Sequence, residues 1–481
     1  MAEQSLKEKT AKGLFWGGLS NGAQQLLNLF FGIFLARILT PADYGMVGML
    51  TIFSLIASSL QESGFTAALT NKKVVTHNDY NAVFWFSILL SLCLYFLLFF
   101  AAPLIADFYQ TPELTALARY SFLGFLIASF GIAHSAYLFR NLKVKQRAMS
   151  SVIGLLFSGT IGVTLAYFGF AYWGIATQNL VYISVVTICY WCFSSWRPSF
   201  RIDFSPLRDM IKFSCYLLIT NIFNHINNNL LSVVLGKFYS DKDVGYYNQA
   251  NKWCGMGQQV ILGMIVSVAQ PVLVNTANDI ERQRQVFRKM LRFAAFVSFP
   301  ALFGLGLVSR ELIVITVTEK WLPSVSLIQM LCIGGAFTPI IALYQQLIIS
   351  RGSSHIFMWN TIAIGIFQVI AAFLSYPYGI HVMLIVYVCI NIAWLAVWQH
   401  LVWKRIRLTV FQAMKDIFPY AFIAACAILL SYYLTCRIDN DYFRIFAKII
   451  TAVIAYVGAM WAFNSVTFKE SIQYLTKKKQ I

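Results

Sequence analysis

The chain has 481 residues, of which 59% are hydrophobic and only 12% charged, with nine cysteines and a formal net charge of +18; its mean hydropathy is +0.66. Those proportions exclude an ordinary soluble globular protein and leave no stretch that would make a soluble domain. The basic residues are spread over eight short segments, so they present no groove for nucleic acid and suit apposition to anionic lipid instead.

Taken in chain order, the sequence opens on the charged stretch "MAEQSLKEKTAK". The apolar run behind it is too long for a signal peptide and lacks a small-x-small exit, so a retained first span is expected. Crossing about 30 Å of hydrocarbon as helix takes roughly 20 apolar residues. Such runs occur at 13–38, 45–69, 82–105, 117–138, 150–169, 172–193, 211–236, 245–272, 293–318, 325–349, 356–376, 379–402, 413–435 and 444–466. The fold class read from this is an all-α polytopic membrane protein with 14 transmembrane helices. The N-terminus, every second connection and the C-terminus hold 27 of the 37 Lys and Arg, whereas the opposite connections hold eight, matched there by nine acids. Positive residues in short loops stay cytoplasmic, so both termini are expected in the cytoplasm.

The chain also resembles itself. At a shift of 200 residues "NGAQQLLNLFFGIFLARILTPADYG" (21–45) lies over "NIFNHINNNLLSVVLGKFYSDKDVG" (221–245), pairing Asn21 with Asn221, Asn28 with Asn228, Leu35 with Leu235, Asp43 with Asp243 and Gly45 with Gly245. Six spans precede the second copy, and six is even, so both copies enter the membrane in the same direction. This predicts two six-helix lobes, 1–193 and 211–402, related by a pseudo-two-fold axis along the membrane normal. A cytoplasmic linker, 194–210, joins them, and two extra helices with a basic tail, 403–481, follow.

The candidate site follows from the repeat. Asn21, Gln24, Gln25 and Asn28 recur at i, i+3, i+4 and i+7, one face of the first helix, and the seventh repeats the pattern with Asn221, Asn224, His225 and Asn228. An unpaired amide in hydrocarbon costs several kcal/mol, so faces this polar are expected on a hydrated cavity rather than on lipid. Dry helix-to-helix pairing is the competing reading. In the eighth helix Lys252 lies on nearly one face with Asn248, Gly255 or Met256, and Gln259, where it anchors an anionic head group or snorkels to the surface. Glu62 is read as the only carboxylate inside a span and as the candidate coupling-ion or proton site. Arg37 reads as a boundary residue, and His134, His381 and His400 as solitary interior or interfacial groups. Cys189 and Cys192 form a lone CxxC within a span, which does not argue for metal. Bends are expected at Pro271, at Pro300 with Gly304 and Gly306, and at Gly334 and Gly335 with Pro339.

Three segments carry a resemblance to a known family: "FLARILTPADYGMVGMLTIFSLIASSLQESGFTAALTNKKVVTHNDYNAVFW" (34–85), "AAPLIADFYQTPEL" (101–114) and "YLFRNLKVKQRAM" (137–149). They resemble the polysaccharide-type lipid-linked oligosaccharide flippases of the multidrug/oligosaccharidyl-lipid/polysaccharide exporter superfamily, which also contains MATE drug exporters and lipid II flippases. The likeness is close over the first 150 residues, weaker to about 402 and mainly topological beyond. Members often have Asp before the "GF" turn where this chain has "ESGF", so Glu62 keeps the charge one methylene further out. The resemblance implies alternating access by two lobes in a bacterial inner membrane. The substrate it implies is a polyprenyl-pyrophosphate-linked oligosaccharide, with membrane lipids and other polysaccharide assembly proteins as further partners. A monomer with no cofactor, no metal and no enzymatic activity is expected. A cation-coupled multidrug exporter of the same fold and an integral-membrane glycosyltransferase are the alternatives. The first would want cavity carboxylates, and the second acid/base or metal-binding groups on a large outer loop.

Overall fold

A computed structural model describes residues 21–62, 75–141, 143–200, 203–205 and 207–463, with Leu69 and Phe468; these are helices and connections, with no strand among them. The helices are α1 (21–38), α2 (Pro41–Glu62), α3 (His77–Tyr109), α4 (Leu114–Arg140), α5 (Val144–Tyr167), α6 (Tyr172–Phe193), α7 (Leu207–Phe238) and α8 (Asp241–Asn275). They continue as α9 (Ile280–Val317), α10 (Pro323–Gly335), α11 (Thr338–Ser350), α12 (Ser354–Ser375), α13 (Ile380–Ala393), α14 (Leu395–Ile406), α15 (Val410–Thr435) and α16 (Asp441–Ala462). Among the described residues 12 spans are long and apolar enough to cross a membrane, α10–α11 and α13–α14 each counting as one. The other two expected spans, 13–38 and 211–236, fall on α1 and α7, which are helical where described.

Local chemistry sets many helix starts. Thr76 with Asp79 and Thr409 with Gln412 form capping boxes on α3 and α15, Asp279 caps α9, and Asn440 accepts from the backbone N–H groups of Tyr442 and Phe443 at the start of α16. The expected tenth helix is broken. α10 stops at Gly335 because Pro339, in the first turn of α11, has no N–H for the carbonyl of Gly335 and its ring crowds that carbonyl. Ser298 Oγ donates to the carbonyl of Ala336 in the gap at 2.6 Å, tying the break to α9. The expected twelfth helix is interrupted at Trp394, with no Pro or Gly to announce it. Three residues earlier Asn391 Nδ2 donates to its own helix at the Tyr387 carbonyl, 2.9 Å away. By contrast α8 and α9 run unbroken through Pro271 and Pro300, while residues 63–68 of the expected second span lie outside the described residues.

The chain divides into two compact units, Met1–Gly245 and Tyr246–Ile481, so the division falls in the first turn of α8. In the first unit α4 packs on α3 and α6, and α6 on α5, while α2 lies against α7. A buried aromatic cluster of Tyr80, Phe84, Trp196 and their neighbours encloses His134, whose ring centroid is 4.4 Å from that of Trp191 and 5.0 Å from that of Trp196. Helix α1 seats by stacking Phe31 on Gly159 of α5, where a Cβ would stand 2.3 Å from the ring. In the second unit the central member is α9, with α10, α15 and α16 packed on it. The two extra C-terminal helices are thus an integral wall of that unit.

Candidate functional site

Each amide stripe changes character along its helix. On α1, Asn21, Gln25 and Asn28 are exposed and Gln24 is half-buried; the same face continues through Leu35 and Leu39, which are buried. On α7, Asn221 and Asn228 are exposed, Asn224 and His225 half-buried, and the face continues through buried Ser232 and Leu235. In both copies an accessible run of polar side chains, about 10 Å long at 1.5 Å per residue, gives way to a sealed, mainly apolar end. The other amides of the opening stretch on α7 behave differently. Asn227 is buried and Asn229 Nδ2 donates to the carbonyl of His225 at 2.9 Å, so they belong to the helix interior.

These eight residues lie in the first unit. Asn248, Lys252 and Gln259 lie in the second, on α8, where Lys252 and Gln259 are exposed and Asn248 is half-buried. The opposite side of α8 is taken up by packing: Trp253 and Cys254 are buried, and a Cβ on Gly335 of α10 would meet Gln258 Nε2 at 2.3 Å and Cys254 Sγ at 3.0 Å. Accessible amides can donate to and accept from sugar hydroxyls, and an accessible ammonium can meet a phosphate.

Glu62 is the last described residue of α2, and its side chain lies outside the described residues. Its neighbour Gln61 is buried and donates Nε2 to the carbonyl of Phe125 at 2.7 Å, tying α2 to α4. Arg37 is exposed, His381 Nε2 lies 2.9 Å from Ser326 Oγ, and His400 stacks on Trp403.

Two charged clusters escape a reading of local pattern. Glu311 belongs to α9, within the expected span 293–318, and is 1% exposed. Its Oε1 accepts from Lys448 Nζ at 2.8 Å and lies 2.9 Å from Arg444 Nε, both on α16; Lys448 also donates to the Leu307 carbonyl at 3.1 Å. Arg444 pairs in turn with Asp441. Towards the other end of α9, Arg288 grips Asp416 of α15 with two hydrogen bonds, 2.6 and 3.1 Å, and Arg292 is 3.9 Å away. Glu62 is therefore not the only carboxylate within a helix span. The signal available was an acid and a base in apolar helices far apart in sequence, which only contact can pair. Between these clusters α9, α15 and α16 enclose an apolar groove of about 570 Å³, with Pro300, Gly304, Ala424 and Tyr456 in its walls and Lys448 among them. None of the expected site residues lines it.

Among solved structures, the chain superposes on a lipid II flippase, MurJ, in an inward closed conformation with a TM-score of 0.76 and 16% identity, covering 95% of this chain and 99% of that one. An inward-facing MATE multidrug transporter of the MOP superfamily follows at 0.63 and 16%, covering 80% and 96%. At those identities the likeness shows the fold. Relatives in sequence include a membrane protein of the cps region of Klebsiella pneumoniae, 27% identical over 341 residues, 69% of each chain. The lipopolysaccharide biosynthesis protein WzxC of Escherichia coli is 26% identical over 337 residues, 69% of this chain and 68% of its own. The teichuronic acid biosynthesis protein TuaB of Bacillus subtilis is 24% identical over 360 residues, 74% of each. The family model described as "Polysaccharide biosynthesis protein" matches residues 34–326, more than half of the chain, and this chain, with its multiple helices long and apolar enough to cross a membrane, belongs to that family.

Proposed function

We propose that this protein is a transporter that flips a polyprenyl-pyrophosphate-linked oligosaccharide across a bacterial inner membrane by alternating access, for the biosynthesis of a surface polysaccharide. The observation that carries the reading is the paired change along α1 and α7: accessible amides in one half of each helix and buried side chains on the same face in the other. A passage with wet polar walls and one sealed end lowers the barrier for a sugar head group without making or breaking a bond. Relatives named for lipopolysaccharide and teichuronic acid biosynthesis support the cargo class, as does one named as a succinoglycan biosynthesis transport protein.

In this reading α1 and α7 complete a set of 14 spans, both termini lie in the cytoplasm, and the lobes are 1–193 and 211–402. Asn21, Gln24, Gln25, Asn28, Asn221, Asn224, His225 and Asn228 contact sugar hydroxyls. Lys252, with Asn248 and Gln259, meets the pyrophosphate, and Glu62 couples transport to an ion gradient. The reciprocal pairing of residues 41–45 with 241–245 in the first unit supports the repeat on which the lobes rest. The protein acts as a monomer beside other polysaccharide assembly proteins and catalyses no reaction.

A cation-coupled drug exporter shares the fold, but a cationic drug needs a free acidic group. Of the buried carboxylates in the described spans, Glu311 and Asp416 are already held by Lys448, Arg444 and Arg288, while Asp43 and Asp79 cap helices. Purified protein in vesicles should move a labelled polyprenyl-pyrophosphate oligosaccharide and leave a cationic dye behind. Dye flux with no movement of the glycolipid would overturn the assignment.

A further inference from the structure

At the end of the second unit where α8 stops and α9 begins, two arginines are held close together by neutral acceptors. Gln283, in the first turn of α9 and fully buried, donates its Nε2 to the Leu273 carbonyl of α8 at 2.8 Å. That bond leaves its Oε1 for the connection between α11 and α12, where it accepts from Arg351 Nε at 3.0 Å and from Nη2 of the same guanidinium. Two residues on, the buried Ser353 accepts at Oγ from Nη2 of Arg405, in the last turn of α14, at 3.1 Å. Among the described residues no carboxylate pairs with either guanidinium: Asp416 is taken by Arg288 and Arg292, and Glu281 by Arg284.

This arrangement is costly as it stands. Both arginines are half-buried, and like charges so placed repel each other. Burial, together with the positive charge of Arg405, holds the pKa of Arg351 below the ordinary arginine value. Each fork has five N–H donors, of which these contacts use two on Arg351 and one on Arg405. Open space adjoins the pair: Gly352, exposed between Arg351 and Ser353, has φ +70°, and a Cβ there would meet nothing within 4 Å. Because the Ser353 hydroxyl goes to Arg405, no side chain caps the start of α12, whose first turn adds to the positive field.

We infer that Arg351 and Arg405 form a binding site for the phosphate of an anionic membrane phospholipid, whose oxygens the two forks share. A phosphate matches the guanidinium geometry, and its charge offsets the repulsion between the arginines. The setting selects a lipid over a soluble anion. The site lies where spans end, with α11 stopping at Ser350, α12 starting at Ser354 and α14 stopping at Ile406. Trp359, early in α12, and Trp403, in the last turn of α14, are exposed there, and tryptophan settles at head-group depth. Lys404 and Arg407, both exposed, add diffuse attraction to an anionic surface. A lipid held in this way ties α9, α12 and α14 together at their ends. The inference does not rest on the transport reading.

The test titrates the full-length protein, purified in detergent, with phosphatidylglycerol and counts bound lipid by native mass spectrometry, with phosphatidylcholine as reference and melting temperature as second readout. The parent should bind one phosphatidylglycerol in preference to phosphatidylcholine and melt higher with it. Arg351→Gln and Arg405→Gln should each weaken that binding about tenfold, the low end of what a charge-assisted hydrogen bond contributes. Without lipid, both variants should melt no lower than the parent, because the repulsion is relieved. Lys404→Gln, a screened surface charge, should weaken binding less than about twofold. Parental affinity in both arginine variants overturns the site, and so does an equal loss in Lys404→Gln, the mark of diffuse attraction. A melting temperature raised as much by inorganic phosphate, or displacement of the lipid by an equal concentration of a polyprenyl pyrophosphate, also overturns the lipid assignment. Arg405→Lys keeps the charge and loses the fork, so its expected weakening decides the matter where a glutamine variant does not fold. No flux is measured, so failure of this site and failure of the transport reading give different results.

Discussion

The buried pair of Glu311 and Lys448 offers the sharpest quantitative test of how the C-terminal hairpin is held. Replacing Lys448 by Met leaves a carboxylate 1% exposed with Arg444 as its remaining cation, at 2.9 Å. Removing one partner of a buried ion pair costs roughly 3–5 kcal/mol, because the other charge is left without compensation. Arg444 stays close, which places the expected loss near the bottom of that range, about 3 kcal/mol. Arg444→Gln should cost less, since Lys448 supplies the hydrogen bond to Oε1 and Arg444 is shared with Asp441. The double variant Glu311→Leu with Lys448→Met should recover most of the loss, because an apolar pair of similar volume is neutral or better at a buried site and Arg444 keeps Asp441. Thermal unfolding in detergent, with steady-state membrane level as a second readout, measures all four proteins. A cost below about 1 kcal/mol for Lys448→Met, or a double variant less stable than Lys448→Met alone, would refute the claim that this pair clamps α16 to α9.

Three more outcomes are expected. Asp416→Asn should lower stability by about 2 kcal/mol by ending the bidentate grip of Arg288, discounted because the arginine side chain is 28% exposed and partly hydrated; a melting temperature equal to the parent's would count against it. Asn224→Ala combined with Asn228→Ala, and separately Lys252→Met, should abolish surface polysaccharide while leaving protein in the membrane at normal amount, scored by glycan blot and immunoblot. Export at parental level in both would remove the cavity assignment. Glu62→Gln should change how vesicle flux responds to an imposed ion gradient, and a response identical to the parent's would assign coupling elsewhere.

Much of the architecture was legible because it is written in local patterns. Runs of apolar residues located the spans, and T-H-N-D, T-V-F-Q and S-D-K-D mark helix starts that side chains cap in the structure. The repeat at 200 residues paired Gly45 with Gly245, yet nothing in either segment showed that these glycines touch the opposite copy's carbonyl. Pro339 betrayed the break after Gly335, whereas the interruption at Trp394 had no Pro or Gly to signal it. The amide stripes were visible as periodicity; that they are accessible while Leu35 and Leu235 on the same faces are buried was not.

By itself, then, the sequence determined that the chain is a multi-span membrane protein of helices, where most spans lie, and that α1 and α7 share one polar pattern. These are consequences of transfer free energy and helical period, properties of short segments taken alone. Tertiary structure decided what pairs with what. Glu311 finds Lys448 across 137 residues, Asp416 finds Arg288 across 128, and two capped turns 200 residues apart meet at bare glycine. A charge in an apolar helix states only its need for a partner, and packing alone supplies which one.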